Sequence, residues 1–417
     1  MAEPLETAST AAPSVAPGAA APTAEPAHTH VGVTIARTDA WINYAYLATW
    51  SYLLYGLGNA TPYLRSELGL TDFQAGLHGS ALAVGVLVAG VGVDFLARHV
   101  GSRWLLDLGV LGFLVGVTAI ALAPALSVSL AGALILGMSG GTLGTQVNVN
   151  LSRADSTTSR RLLSQANAVS MVTAGAAPVA MSLAVQGLGA WRVAMFLPVA
   201  AGLAMSAVRP RHEERRADVR MPSGRLPLAY WFVWLFILVA VSIEFSFVFW
   251  GSTIVARQTG IADADATLLA SLFVAGMFLG RAALGRGLGG EINPRILLTC
   301  GLVVVLAGAG LVRIATVPAL SGLGLFLGGA GTSALFPIGM AIAMDRAGRA
   351  RFEAAARATL AAGMAVLLAP SVLGLASDAV GVASAWPIIM VLAVAGLVVV
   401  AITPRTGSAD RLPDPGA

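Results

Sequence analysis

Long uncharged runs of apolar residues alternate with short charged segments along most of the chain. Asp39 and Arg65 enclose the first run, and Asp72 and Asp94 enclose the second. A helix needs about 20 apolar residues to cross a bilayer, and these runs have that length. The pattern therefore predicts membrane-spanning helices joined by short polar loops.

The longest uncharged run is too long for one span. No charged residue occurs between Asp107 and Arg153, and this stretch of 45 residues would be about 68 Å long as a single helix. We expect it to fold back at Pro124. The same reasoning predicts twelve spans, over residues 41–63, 75–96, 104–123, 127–151, 162–186, 190–208, 228–256, 266–285, 296–315, 318–343, 354–377 and 383–403.

The composition supports this prediction and excludes other classes. Of the 417 residues, 57% are hydrophobic and 11% are charged, against about 25% charged in a soluble domain. The only cysteine, Cys300, cannot form an intrachain disulfide, and no catalytic, metal-binding or nucleotide-binding motif occurs. We expect an all-α membrane protein without cofactor, metal or enzyme activity.

The arginines predict the orientation in the membrane. All 25 basic residues are arginines, and they cluster in short loops, which indicates topology and not nucleic-acid binding. With a cytoplasmic amino terminus, 21 of them lie on the cytoplasmic side. The positive-inside rule therefore predicts a multi-pass protein of the cytoplasmic membrane with both termini in the cytoplasm. The four arginines on the opposite side are Arg65, Arg192, Arg257 and Arg313.

The chain divides into two similar parts. Landmarks recur 191 to 195 positions apart, which predicts two six-helix halves related by a pseudo-two-fold axis along the membrane normal. The paired landmarks are Gly137 with Gly328, Pro178 with Pro370, and Trp191 with Trp386. The predicted organisation is a disordered cytoplasmic tail (1–36), a first half (37–208), a cytoplasmic linker (209–226), a second half (227–404) and a second cytoplasmic tail (405–417).

A glycine-rich motif ends span two and recurs at the end of span eight. It comprises Gly90, Asp94, Arg98, Gly101 and Arg103, and then Gly276, Gly280, Arg281, Gly285 and Arg286. This pattern resembles the major facilitator superfamily, and EFSFVFW, GMFLGR and GTSALFP are similar to its fucose-permease-like branch. The resemblance implies transport by alternating access between the two halves. The charged motif residues Asp94, Arg98, Arg103, Arg281 and Arg286 are predicted to form a cytoplasmic latch that opens as the halves rock.

Glu244 is the most informative candidate. Of the 21 acidic residues, it alone lies well inside a span. A charged side chain at that depth costs about 2.5–3.5 kcal/mol by insertion scales, so such residues persist where they have a function. Because burial disfavours the charged carboxylate, we predict that Glu244 couples transport to protons, binds substrate, or does both. A protonated glutamic acid that only bonds a neighbouring helix is the alternative.

Amide and aromatic side chains predict the substrate site. In span four, Thr142, Gln146 and Asn150 follow one helix face, and amides suit hydroxyl-bearing ligands. Hydrogen bonding between helices is the alternative for these polar residues. The other candidates for the substrate site are Asn43, Tyr46, Trp50, Asn167, Phe247, Trp250 and Phe336. Helix packing is an equal alternative for the aromatic residues among them.

The predicted function is secondary active transport of a small neutral or cationic solute, with a sugar or polyol ranked first. An anionic substrate is disfavoured because no arginine is expected in the middle of a span. A drug or metabolite efflux proton antiporter is the main alternative, and a non-transporting receptor or scaffold is another. The expected partners are the solute, protons and the bilayer, and the protein is expected to be a monomer.

Overall fold

The computed structural model describes residues 37–100, 102–152, 154, 156–209, 226–285 and 292–404. The predicted tails (1–36 and 405–417) and nearly all of the predicted linker lie outside these ranges, so the domain boundaries stay predictions. All of the regular secondary structure in the described ranges is helical.

Each half contains six spans. The first half comprises α1 (Arg37–Leu68), α2 (Asp72–Val100), α3 (Ser102–Ala121), α4 (Leu126–Leu151), α5 (Ser156–Leu188) and α6 (Trp191–Val208). The second half comprises α7 (Leu228–Thr259), α8 (Asp263–Ala283), α9 (Pro294–Ile314), α10 (Pro318–Thr332), α11 (Leu335–Arg346), α12 (Arg351–Val380), α13 (Val382–Ala385) and α14 (Pro387–Ile402).

The twelve predicted spans agree with these helices. The chain turns at Pro124 between α3 and α4, as predicted. The tenth span is α10 followed by α11, interrupted at Ser333 and Ala334, and the twelfth is α13 followed by α14. Eleven of the spans are long and apolar enough to cross a membrane, and α1 is the twelfth. The chain is a multi-pass membrane protein.

Successive spans run in opposite directions, so the bundle has two faces. We call the face where the described chain begins (Arg37) and ends (Pro404) the terminal face, and the opposite one the far face. Helices α1, α5, α7 and α12 end at the far face. Each is followed by a glycine with a positive φ, a conformation that glycine adopts without strain. These residues are Gly69, Gly189, Gly260 and Gly381. Gly260 follows Gly69 by 191 positions, and Gly381 follows Gly189 by 192.

The same repeat governs the helix crossings inside each half. A Cβ on Gly116 of α3 would lie 2.9 Å from the carbonyl oxygen of Gly132 in α4. In the second half, a Cβ on Gly308 of α9 would lie 2.6 Å from the carbonyl oxygen of Gly324 in α10. Both residues of the second pair follow their counterparts by 192 positions. Because glycine lets helix backbones approach closely, both halves are built on the same contacts.

One predicted landmark shifts by a residue. A Cβ on Gly137 would overlap the carbonyl oxygen of Leu82, and its counterpart is Gly329, which meets the carbonyl oxygen of Phe273 in the same way. The predicted counterpart, Gly328, instead packs against the ring of Phe247. The repeat is therefore confirmed, with the alignment corrected at this position.

Replacing Gly137 by alanine tests the close helix crossing. We expect Gly137→Ala to lower the unfolding temperature in detergent, because forcing atoms into a filled space costs about 1–3 kcal/mol. Gly144→Ala is the matched control, since it lies on the same helix with no atom within 4 Å of its added Cβ. Equal unfolding temperatures for the two variants would contradict the packing described.

Candidate functional site

The two halves meet along a seam formed by six helices. The first half contributes α1, α2 and α5, and the second half contributes α7, α8 and α12. The main contacts across the seam pair α2 with α12, α5 with α8, and α1 with α7. In a protein of two repeated halves, such a seam is where a ligand can be held near the middle of the membrane.

An ion cluster joins the halves at the far face. Arg257, near the end of α7, donates two hydrogen bonds to the carboxylate of Asp72 at the start of α2, with distances of 2.8 and 2.9 Å. Arg65 donates to the same carboxylate at 2.7 Å, and the Ser377 hydroxyl of α12 donates at 2.5 Å. Asp72 is thus held from both halves at once.

Further polar contacts close the far face. The carboxylate of Asp378 accepts hydrogen bonds from the backbone N–H groups of Asp72 and Phe73, at 2.7 and 2.9 Å. These groups begin α2, where they lack partners within the helix and where the helix dipole favours an anion. About two turns deeper, the hydroxyl oxygens of Ser80 and Ser371 are 2.5 Å apart. The far face is sealed by contacts between the halves.

Glu244 lies in the seam, where α7 crosses α1. At the crossing, a Cβ on Gly58 would be 2.8 Å from the carbonyl oxygen of Val248, so glycine permits the close approach. Tyr55 lies about one turn before Gly58, and Glu244 about one turn before Val248. The Tyr55 hydroxyl donates to the Glu244 carboxylate at 2.5 Å. Glu244 is 8% exposed, and its hydrogen bond therefore joins the two halves.

Arg281 brings a positive charge to the same depth. Its Nη1 lies 2.9 Å from the Sδ atom of Met171, near the midpoint of α5. Its Nε donates to the carbonyl oxygen of Ser333, at the break between α10 and α11, at 3.3 Å. We call Tyr55, Met171, Glu244, Arg281 and Ser333 the central layer. Each lies about 13 to 18 residues from the far-face end of its helix, or roughly 20–27 Å.

Arg281 lies where the sequence placed it, near the end of its span. It belongs to the last turn of α8, which starts at the far face and has 21 residues. The side chain, although near the end of its own helix, contacts the middle of α5. Arg281 therefore places a cation against the middle of α5, across the seam from its own helix.

The predicted polar stripe of α4 lies within the first half. Nδ2 of Asn150 donates to Oδ1 of Asn43 in α1 at 3.2 Å, and both side chains are buried. Gln146 is buried as well. Thr142 is partly exposed, and its hydroxyl donates to the carbonyl oxygen of Met138 in its own helix. In this conformation, the stripe includes a hydrogen bond that joins α1 to α4.

The α1 aromatics also pack within the first half. Tyr46 is fully buried, and its hydroxyl lies 3.0 Å from that of Ser206 in α6. The ring of Trp50 stacks on Phe113 of α3, with 6.1 Å between ring centroids, and covers Gly140 of α4. Trp50 is partly exposed, so it combines a packing role with access to solvent.

Two other predicted residues lie in the core of the second half. Phe247 stacks on Phe273, with ring centroids 4.9 Å apart, and meets Trp386 edge-on at 5.2 Å. Trp250 donates its indole N–H to the carbonyl oxygen of Pro370 at 3.0 Å. Both side chains are buried, so they are packing residues in this conformation and do not line an open site.

Asn167 and Phe336 remain accessible. Asn167 is exposed one turn before Met171 on the same face of α5, on the side towards the terminal face. Phe336 is partly exposed just after the break between α10 and α11. An exposed amide in a spanning helix is expected to face water and not lipid. Asn167 is therefore an accessible polar side chain on the terminal-face side of Met171.

Most of the predicted latch lies outside the described structure. Arg286 is not among the described residues, and neither are the side chains of Asp94, Arg98 and Arg103. Their gating role stays a prediction. Among the residues that are described, no group of three or more His, Cys, Asp or Glu side chains could hold a metal ion.

Sequence reasoning missed Tyr55 as the partner of Glu244, and it missed the ion cluster at the far face. A signal for the cluster was present, because Arg65 and Arg257 are two of the four arginines on the arginine-poor side. A basic residue on that side calls for an explanation, and the acidic partner Asp72 supplies one.

Twelve spans in two repeated halves around a polar seam define a known class of membrane protein, and solved structures share the architecture. A bacterial homologue of the human lysosomal transporter Spinster, in an inward-facing and occupied conformation, has a TM-score of 0.75 at 13% identity, covering 91% of this chain and 99% of that chain. A mutant of the nucleoside transporter NupG has a TM-score of 0.72 at 12% identity, covering 88% and 100%.

A third solved structure carries the family name. The Major Facilitator Superfamily transporter FucP, in the outward conformation, has a TM-score of 0.58 at 17% identity, covering 89% of this chain and 100% of that chain. No family model and no curated protein sequence matches this chain. The chain therefore has the fold of the major facilitator superfamily.

Removing Arg257 tests the seal at the far face. In a Cys300→Ala background with Ser371→Cys as a reporter, we expect Arg257→Gln to increase labelling by a membrane-impermeant maleimide several-fold. The loss of two charge-assisted hydrogen bonds between the halves favours the state open at the far face. The control is Arg192→Gln, since Arg192 pairs with Glu67 within the first half. Equal labelling of the two variants would contradict the sealing role of Arg257.

Proposed function

We propose that this protein is a secondary active transporter that works by alternating access. The observation that carries the proposal is the central layer, in which ionisable side chains lie in the seam between two repeated halves. The halves are joined at the far face by hydrogen bonds and ion pairs, which can break and re-form. Contacts of this kind suit two bodies that rock about a fixed binding site.

The contacts at the far face and the exposure of Asn167 indicate the conformational state of the transporter. The far face is sealed, whereas Asn167 is exposed on the side of the terminal face. The arginine distribution assigns the terminal face to the cytoplasm. On this assignment the protein is in an inward-open state. The higher TM-score against an inward-facing structure, 0.75, than against the outward FucP structure, 0.58, agrees with it.

Glu244 is the proposed proton carrier. In the present state its carboxylate is stabilised by the Tyr55 hydroxyl from the other half. When the seam opens towards the far face, α1 and α7 must separate there, and Glu244 loses that donor. The Tyr55 hydroxyl stabilises the charged form of Glu244, so its loss favours uptake of a proton in that state. Proton uptake on one side and release on the other follow from this alternation.

A hydroxyl-bearing solute remains the first candidate substrate. The residues proposed to contact it are the accessible or polar ones near the seam, namely Trp50, Thr142, Asn167 and Phe336. Asn43, Gln146 and Asn150 are candidates only if the helices of the first half rearrange, because they are buried in the present state. Transport direction separates this proposal from an efflux antiporter.

Crosslinking the far face tests alternating access. The Ser80 and Ser371 hydroxyls are 2.5 Å apart. In a Cys300→Ala background, we expect a short bifunctional thiol reagent to stop solute exchange in liposomes when both Ser80→Cys and Ser371→Cys are present. Reduction of a cleavable reagent restores exchange. The controls are the two single variants. Undiminished exchange after complete crosslinking would refute alternating access, and a scaffold would show no exchange at all.

Replacing Glu244 tests proton coupling. We expect Glu244→Gln to abolish solute-dependent proton movement in liposomes while retaining solute exchange, because the amide cannot titrate. A panel of sugars and polyols, compared with a panel of lipophilic cations, identifies the solute class. Glu353→Gln is the control, since Glu353 is paired with Arg357 within the second half. Normal proton movement by Glu244→Gln would remove the coupling role.

A further inference from the structure

The guanidinium of Arg281 has little compensation for its charge. Its described partners are the carbonyl oxygen of Ser333 and the thioether of Met171. Within the described ranges, no carboxylate lies within 4.0 Å of it. A guanidinium carries five N–H donors, and a buried cation without an anionic partner is unfavourable. Arg281 is nevertheless only partly buried, so its free donors can be reached.

Two of the helices that pack beside Arg281 contain no acidic residue. Helix α5, which the side chain of Arg281 contacts, contains no aspartate or glutamate between Ser156 and Leu188. Helix α10 contains none between Pro318 and Thr332. A latch partner for Arg281 is therefore absent from both of these elements. Glu244 is already bonded to Tyr55 across the seam.

Arg281 and the Tyr55–Glu244 pair belong to one site. Tyr55 and Glu244 join α1 to α7, and Arg281 of α8 contacts Met171 of α5, so both contacts cross between the halves in the central layer. The layer thus presents a carboxyl group with its own donor and a guanidinium whose donors are largely free. A guanidinium in a low-dielectric seam binds carboxylate and phosphate strongly, because two parallel N–H donors match their two oxygens.

We propose that Arg281 binds an oxyanion group, a carboxylate or phosphate, of the transported solute. This inference rests on the proposed transport function and replaces the neutral or cationic solute expected from sequence with a hydroxylated anion. The anion supplies the negative charge that no described residue provides within 4.0 Å of Arg281. Glu244 remains free for the proton.

The test measures binding to the purified full-length protein in detergent by thermal shift. The probes are glucose, glucuronate and glucose 6-phosphate, which share a sugar ring and differ in charge, together with benzoate and benzyl alcohol. We expect at least one anion to stabilise the wild-type protein at concentrations where its neutral analogue does not. The glucuronate and phosphate arms identify which oxyanion is preferred.

Variants assign the binding to Arg281. We expect Arg281→Gln to weaken binding of the anion by about 10-fold to 100-fold, as for loss of a hydrogen bond to a charged group. Arg281→Lys, which keeps the charge, should retain part of the affinity and guards against misfolding of the glutamine variant. The control is Arg357→Gln, since Arg357 pairs with Glu353 away from the seam.

Three outcomes would overturn the proposal. They are equal binding of neutral and anionic probes, unchanged anion binding by Arg281→Gln, and no stabilisation by any anion of the panel. The crosslinking experiment on Ser80 and Ser371 does not depend on the charge of the solute. If crosslinking stops exchange but the anion test fails, only the charge assignment is lost.

Discussion

The structure depends on a constraint that the bilayer imposes, because lipid tails offer no hydrogen bonds to a polar side chain. Each polar group inside the bundle must therefore find its partner in protein or in water. Glu244 finds it in Tyr55, across the seam, where Gly58 lets α1 approach α7. The bond that stabilises the carboxylate is also a bond between the two halves. The proposed proton coupling rests on this bond, because a change in the relative position of the halves would break it.

The contacts within each half differ in kind from those between the halves. Inside the halves, glycine pairs such as Gly116 with Gly132 and Gly308 with Gly324 bring backbones into direct contact. Such packing does not rearrange without a large loss of van der Waals contact. At the far face, the halves are held by the Asp72 cluster and its neighbours, and water can replace these partners. The chemistry thus favours two rigid bodies joined by a breakable seam.

The sequence was sufficient for the spans, the turn at Pro124 and the depth of Glu244, because length and hydrophobicity determine each of them. It was also sufficient for the repeated halves, because landmark residues recur at a nearly constant offset. It was not sufficient to determine which face of each helix points towards the core. Nor did it determine the depth in the bundle that a long side chain reaches. Phe247 and Trp250 flank Glu244 closely in sequence, yet they face the core of the second half. Arg281 lies near a helix end, yet it contacts the middle of α5. Both features depend on packing between helices, which no single segment encodes.

Two arginines, Arg257 and Arg281, contact the opposite half of the protein. They differ in whether that half provides an acidic partner, and we infer different roles for them on this basis. Arg257 has an acid opposite it, and the resulting pair with Asp72 seals the far face. Arg281 has a helix without acids opposite it. Its contacts in the described structure are the Met171 thioether on that helix and the Ser333 carbonyl oxygen of its own half. A satisfied pair closes a gap, whereas an unsatisfied cation in an accessible seam attracts an anion from solution. The same residue type therefore serves closure at one level of the seam and recognition at another.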